Sequence, residues 1–476
     1  MSQSIRIGSL IRHLGAWRST ARSRAAYVEL ADAIRLLILD GRLALGVRLP
    51  GERDLAQGLG LSRTTITAAY AQLRDAGYVQ SRQGSGVRTA LPASDAGSVK
   101  MDDSDTDTQI LIDLSSAATP ASPNIHRAYS SALQQLPAHL PAPGYDRVGL
   151  ERLRSAIANR YSARGLDTAP DQIIVTGGAL HGLTLLLRGF TGPGDQVVID
   201  HPTYPHAIDA IQRAYCRVIP VSLPASGWDV EGLAAAFRQS APRLAYLVPD
   251  FHNPTGRCMD ATTRRDVAAS AAETRTMLVF DEALTDLGIE CAAPVPDPVT
   301  EAQVVRLGSM GKSFWGGLRI GWIRAERSII SSLATARTSI DLGTPILEQL
   351  AAAALLDETQ DWSERRAIVR QQRDALVGFM TAQLPEWKLE MPAGGLSVWA
   401  ELPEAISTGI AATARRYGLS VAAGPRFGVN GAFERFMRLP YTQPGEVLEQ
   451  AVNRLARTFE AIRSSAKISS GDPAVI

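Results

Sequence analysis

From about residue 111 onward, short apolar runs alternate with stretches of helical pattern: QIIVTGG, QVVID, CRVIPV, RLAYLVP, MLVFDE, VVRLGS and RIGWI. Apolar runs bounded by turn formers read as strands buried on both faces. Their alternation with helices predicts an α/β domain around a largely parallel sheet. After about residue 345 the pattern becomes mainly helical, with a few short strands such as LSVWAEL and FMRLPY. This predicts a smaller C-terminal α+β lobe over about 345–465. Residues 466–476 show no pattern and are expected to be a disordered tail. No internal repeat is present. At roughly 150 residues per domain, a chain of 476 residues has room for about three domains.

The first ninety residues follow a different plan. Residues 25–40 (AAYVELADAIRLLILD) carry apolar residues at helical spacing, and Gly41 ends the helix. GERDLAQG reads as a short second helix. Ser62 is an N-cap for a third, Arg63 to about Ala76. YVQSRQGSGVRTA then alternates around Gly84 and Gly86, which predicts a hairpin. Three helices and a hairpin outline a winged helix-turn-helix over residues 23–90. Residues 1–22 are an N-terminal extension that could add an amphipathic helix. Residues 91–110 (LPASDAGSVKMDDSDTDTQI) are polar and aperiodic, and so are expected to be a flexible acidic linker.

Charge follows the same division. The net charge of +1 hides a basic head: residues 1–90 hold 13 Arg, no Lys and 6 acids, whereas 91–113 hold six Asp and one Lys. On charge alone the head is either a polyanion-binding module or a solvated basic face. Cys216, Cys258 and Cys291 are odd in number and widely spaced, which argues against a disulfide framework and suits a reducing cytosol. The seven His are scattered without metal-ligand spacing, so no metal site is expected. No apolar run is long enough for a membrane span, and the N-terminus lacks the apolar core of a secretory signal. A cytoplasmic location is therefore expected. Only four lysines occur, Lys100, Lys312, Lys388 and Lys467. Lys312 is the one set between Gly and Ser in an uncharged stretch.

The segment R48-LPGERDLAQGLGLSRTTITAAYAQLRDAGYVQSRQGSG resembles the winged-helix DNA-binding domain of the GntR family. The likeness lies in LP-x-ER-x-LA, the Ser-capped R-T-T helix start, the AY-x-x-L face and the glycine-bounded wing. The resemblance implies a recognition helix that offers Ser62, Arg63, Thr64 and Thr65 to double-stranded DNA. Arg53 would reach the backbone, and Arg82, Gln83 and Arg88 would lie on the wing. Helix N-termini favour phosphate oxygens, and Arg63 can form bidentate contacts to phosphate or guanine.

The body, about residues 111–465, resembles fold-type I aminotransferases, which use pyridoxal 5′-phosphate (PLP). The motifs arrive in the family's order: T176-GGALHGL, D200-HPTYP, V248-PDFHNPTG, M277-LVFDEAL, L307-GSMGKSFWGGLRIGW and F436-MRLPY. By resemblance, Gly178, Ala179 and Leu180 form the phosphate cup, with Ser309 and Arg319 also on the phosphate. Tyr204 stacks on the pyridine ring. Asn253 bonds its phenolic oxygen, and Asp281 faces its nitrogen, keeping the ring an electron sink. Lys312 forms the internal aldimine. Arg438 clamps a substrate or effector carboxylate. Tyr145, in GYDRVGLERLRSAIANRY, is a candidate contact across a dimer interface. One departure stands out: Ala283 and Leu284 occupy positions where the family usually has a tyrosine, which counts against full transaminase competence.

A GntR-type head joined to an aminotransferase-like body is the architecture of the MocR subfamily of transcriptional regulators. The resemblance implies a homodimer whose body senses PLP, an amino compound or both, and so changes how two heads hold promoter DNA. Two alternatives remain: a working PLP-dependent aminotransferase with an accessory head, and a PLP-storing protein.

Overall fold

The computed structural model describes residues 4–15, 17–18, 24–82, 86–92, 111–301, 303–358 and 362–470. The chain divides into two compact units. One comprises Met1–Val99 with Ser122–Gln134, the other Lys100–Ala121 with Gln135–Ile476.

In the first unit, helices α1 (Ile7–Leu14), α2 (Ala26–Leu39), α3 (Glu52–Leu59) and α4 (Arg63–Asp75) precede the antiparallel hairpin of β1 (Val79–Arg82) and β2 (Gly86–Thr89). Leu30, Ile34 and Leu37 of α2 bury against Ile66, Ala69, Tyr70 and Leu73 of α4. The Tyr70 hydroxyl donates to the Pro50 carbonyl (2.9 Å), fixing the approach to α3. The N-terminal extension forms α1, and Leu10 and Leu14 enter this same core. Within the expected extension, Ile7–Leu14 is thus a packed helix. Ser62 caps α4, its hydroxyl accepting from the Thr65 N–H at 3.1 Å. We predict that Ser62→Ala lowers the stability of this unit by about 1 kcal/mol in thermal unfolding.

The second unit begins at β3 (Ile112–Leu114). The next helix, α5 (Ile125–Gln135), lies almost wholly in the stretch that groups with the first unit. Then follow α6 (Glu151–Ala163), β4 (Ile173–Thr176), α7 (Ala179–Phe190), β5 (Gln196–His201), α8 (Pro205–Arg213), β6 (Arg217–Ser222), α9 (Val230–Ser240), β7 (Leu244–Leu247), α10 (Ala261–Glu273), β8 (Met277–Asp281), β9 (Val305–Ser309) and β10 (Gly321–Arg324). All seven apolar runs are strands of one sheet, in the order β4-β10-β9-β8-β7-β5-β6. Only β10 runs against its neighbours. The carboxyl ends of β4, β5, β7, β8 and β9 therefore share one edge, where ligands of such sheets sit.

After α11 (Arg327–Ala336) and α12 (Ile346–Asp357) come α13 (Ser363–Gln383), β11 (Lys388–Leu389), β12 (Ser397–Glu401), α14 (Ser407–Ala414), β13 (Leu419–Ala423), β14 (Phe436–Pro440) and α15 (Gly445–Ser470). The small lobe is a five-stranded sheet, β11-β12-β14-β13-β3, packed on α13, α14 and α15. Its limits differ from 345–465 in three ways. Helix α12 packs on α6, and its Gln349 side chain accepts from the Leu150 N–H at 2.7 Å, so it belongs to the large lobe. The lobe gains Ile112–Leu114, which pairs in parallel with β13. At the other end α15 runs to Ser470, because a formed helix gains a hydrogen bond with each residue added. Most of the expected linker, 93–110, and the last six residues, 471–476, lie outside the described residues.

Among the described residues no helix is long and apolar enough to cross a membrane, and no cluster of His, Cys, Asp and Glu has a metal-binding arrangement. Buried arginines tie the body together. The Arg306 guanidinium, 0% exposed, spans Glu282 and Glu301; Arg264 pairs with Asp250; Arg337 reaches Asp341, Thr344 and two carbonyls. A planar fork with several fixed donors suits these sites, and a lysine ammonium does not.

Candidate functional site

At the shared carboxyl edge the body encloses a cavity of about 230 Å³. Its lining includes Gly178, Ala179, Leu180, Tyr204, Asn253, Asp281, Ser309, Lys312 and Arg319. The sheet topology thus assembles nine of the ten residues expected to meet the cofactor or an effector carboxylate. The tenth, Arg438 on β14, stands behind the lining and reaches it by donating to the Asn253 side-chain oxygen at 3.4 Å.

The turn after β4 carries Gly178 at φ +110°, the N-cap of α7. A Cβ there would sit 3.1 Å from the Arg319 guanidinium, so glycine allows the close approach. Arg319, itself left-handed at φ +50°, donates to the Gly177 carbonyl. Ala179 and Leu180 of the first turn of α7 line the cavity, and the N–H groups of a first helical turn have no carbonyl a turn earlier to bond. Ser309 ends β9, and its hydroxyl accepts from the Gly311 N–H at 3.1 Å.

Asp281 ends β8, with one oxygen accepting from the Tyr246 hydroxyl (2.6 Å) and the other from the Ala283 N–H (3.0 Å). Burial pushes its carboxyl above the ordinary range, while these two bonds favour the ionised form. Tyr246 also lines the cavity and was not foreseen: in RLAYLVP it looks like any strand aromatic. Ala283 and Leu284, where the tyrosine is missing, line the cavity as well. Tyr204 lies in the field of Asp281, Arg438 and Arg319, with burial raising its phenol.

Lys312 is held to about 8, first by burial and then by the like charge of Arg438, with Asp281 opposing. Its Nζ donates to the Ala117 carbonyl. Arg438 is pushed down to about 10 by burial and by the Arg426 charge. It lies 5.0 Å from the Phe427 ring centroid, donates to the Ser115 carbonyl, and leaves its Nε without a partner. Tyr145 is 76% exposed and is not in the lining.

In the first unit, Arg53, Ser62, Arg63 and Thr64 are exposed together at the start of α3 and α4, and Thr65 is half-buried. Arg63 keeps a loose pairing with Glu52 (3.6 Å), its side chain 73% exposed. Arg88 lies on β2 of the expected wing. It is half-buried and donates to the Gly46 carbonyl at 2.7 Å, because the antiparallel register turns it toward that loop. Arg48 instead brings an exposed cation beside Gly86 of the wing. Gln83 and the Arg82 side chain lie outside the described residues.

Comparison with known proteins agrees with both units. The family described as "Bacterial regulatory proteins, gntR family" matches residues 26–88, and "Aminotransferase class I and II" matches 133–455. The uncharacterized HTH-type transcriptional regulator YdcR of Escherichia coli is 27% identical over 466 residues, covering 91% of this chain and 99% of YdcR. The 2-aminoadipate transaminase of Thermus thermophilus is 29% identical over 315 residues, 63% of this chain and 79% of that protein. The crystal structure of LysN, α-aminoadipate aminotransferase from Thermus thermophilus, complexed with N-(5′-phosphopyridoxyl)-L-leucine, superposes with a TM-score of 0.68. It is 26% identical and covers 74% of this chain and 93% of LysN. The cofactor of this fold, PLP, fits the cavity, which offers an amine of lowered pKa, unpaired helix N–H groups beside an arginine, and a buried carboxylate. The chain belongs to the aminotransferase class I and II family and carries a gntR-family DNA-binding domain ahead of it.

Proposed function

We propose that this protein is a transcriptional regulator of MocR type. Its aminotransferase-like body senses PLP, an amino compound or both, and modulates promoter binding by the winged-helix head. It acts in the cytoplasm as a homodimer with two heads on two half-sites. The observation that carries this reading is the union in one chain of a Ser-capped α4 presenting exposed Arg63 and Thr64 with a near-complete cofactor cavity. YdcR, alike over nearly its whole length, bears the name of a transcriptional regulator.

Within the body, Gly178, Ala179, Leu180, Ser309 and Arg319 would hold the cofactor phosphate. Tyr204 would flank its ring, Asn253 its phenolic oxygen and Asp281 its ring nitrogen, and Lys312 would join it covalently. Bound, the cofactor supplies a carbonyl carbon for amines and a ring that withdraws electrons. Arg438, cationic and only partly satisfied, would hold the effector carboxylate. With Lys312 near 8, about a tenth of it is neutral amine at pH 7. Cofactor uptake is therefore expected to quicken about tenfold per pH unit and to level off above pH 8, as stopped-flow absorbance would read. An unshifted lysine would keep climbing toward its ordinary 10.5.

The test is binding of the full-length protein to its own upstream DNA, with and without PLP. Wild type should bind and shift with PLP. Arg63→Ala should weaken binding by about 1–3 kcal/mol while leaving PLP uptake intact. The near-complete cavity also favours a second reading, an aminotransferase, against which stand Ala283 and Leu284. Steady turnover of a common amino acid with no DNA affinity would reverse the ranking.

A further inference from the structure

Residues Ser115–Thr119 (SSAAT) have no chemistry of their own, yet three cations converge on them. Lys312 Nζ donates to the Ala117 carbonyl, and Arg438 to the Ser115 carbonyl. Arg365 donates to the Thr119 hydroxyl and, at 2.8 Å, to the carbonyl of Lys312 itself. Ala117 and Ala118 also line the cavity. Two of the three donors are the groups that the cofactor and an effector carboxylate would claim. Arg365 is not in the lining.

The position of this segment in the chain gives it reach. Shortly after Thr119 begins Ser122–Gln134, which groups with the DNA-binding unit. Within that unit His126 Nδ1 lies 3.3 Å from Asp40 Oδ1, at the end of α2. Pro123 packs so closely on Gly41 that a Cβ there would come within 2.1 Å of it. Helix α2 in turn forms the core beneath α4.

We propose that Ser115–Thr119 is a clasp, held closed by Lys312, Arg438 and Arg365 when the cavity is free, and that occupancy opens it and so reaches α4 through Ser122–Gln134 and α2. This rests on the regulator reading above and names its means of coupling. When the Lys312 nitrogen becomes double-bonded to a carbonyl carbon, the carbonyl oxygen leaves as water with the two amine hydrogens, and Ala117 loses its donor. A carboxylate on Arg438 displaces the Ser115 carbonyl in the same way. Arg365 alone then retains the segment. Coupling of this kind is reciprocal, so DNA must change PLP affinity by the factor by which PLP changes DNA affinity.

The experiment is hydrogen exchange of the 115–121 amides in the full-length protein, with PLP as probe, alongside DNA titration. In wild type, PLP should speed this exchange at least tenfold. Arg365→Met and, independently, Thr119→Val should bind PLP with unchanged absorbance, but exchange fast without it. Their DNA affinity should respond less to PLP than that of wild type. Exchange that stays the same or slows when absorbance shows PLP bound would overturn the clasp, and so would a full DNA response in both variants. Wild type that binds no DNA in any state would sink the regulator reading instead, and the exchange data would still decide the clasp.

Discussion

Lys312→Ala will remain folded and lose PLP. Among the described residues the Lys312 Nζ has one hydrogen-bond acceptor, the Ala117 carbonyl, and its burial already holds it well below an ordinary lysine. Truncation removes a poorly solvated cation beside Arg438, so the fold sheds a repulsion along with one hydrogen bond. Little net change in stability follows. Cofactor retention, by contrast, depends on the covalent link, since the remaining contacts are hydrogen bonds and ring packing that exchange with water. We expect PLP affinity to fall at least a hundredfold, about 2.8 kcal/mol at 1.4 kcal/mol per decade. Equilibrium dialysis with absorbance detection would measure it. DNA binding should persist in this variant but stop responding to PLP. A variant that keeps PLP at wild-type affinity would remove Lys312 from the centre of the site.

Arg306→Met will destabilise the aminotransferase body by about 3–5 kcal/mol, the usual cost of removing one partner of a buried ion pair. Arg306 is 0% exposed between Glu282 and Glu301, and Glu282 also accepts from the Tyr161 hydroxyl at 3.0 Å. Without the guanidinium, two carboxylates share a buried space, with Arg164 4.0 Å from Glu282 and Arg264 acting on it from farther off. The pH dependence sharpens the test. In wild type the Glu282 carboxyl is held below its ordinary 4.5 by Arg306 and Arg164 against burial. Its contribution is therefore complete above pH 4.5 and is lost as pH falls through the lower folded value. In Arg306→Met, burial is no longer offset and the folded value rises above the unfolded one. The sign then reverses: the contribution is present in acid and lost as pH rises. Urea unfolding from pH 4 to pH 8 should show the deficit widening toward neutrality. A deficit independent of pH would assign the effect to packing alone.

The same buried arginines show where sequence reading stops. The scarcity of lysine was plain, but nothing in VVRLGS says that its arginine points inward to two carboxylates from separate loops. Tyr246 is a similar case. Its hydroxyl meets Asp281 only because β7 and β8 pair in a register that sets Tyr246 beside Val279, on the same face of the sheet as the strand-ending carboxylate. The wing shows the converse: Arg88 sits in the expected hairpin, yet the pairing turns its guanidinium to Gly46. Leu10 and Leu14 had helical spacing, but their place in the DNA-binding core depended on where α3 stood.

Local pattern alone determined a great deal here. Strand and helix periods marked seven strands, the Ser62 cap and the wing, because each depends on neighbours a few residues away. The cavity residues were legible through the motifs of the resemblance: Asp281 and Ser309 end their strands, Gly178 and Tyr204 follow theirs, and Arg319 stands just ahead of β10. The tertiary structure decided the rest: β3 pairing with a strand far along the chain, α12 packing on α6, and an unremarkable Ser-Ala segment drawn against Lys312 and Arg438. Backbone carbonyls carry no side-chain signature, so which cation each one meets is fixed only when distant segments pack.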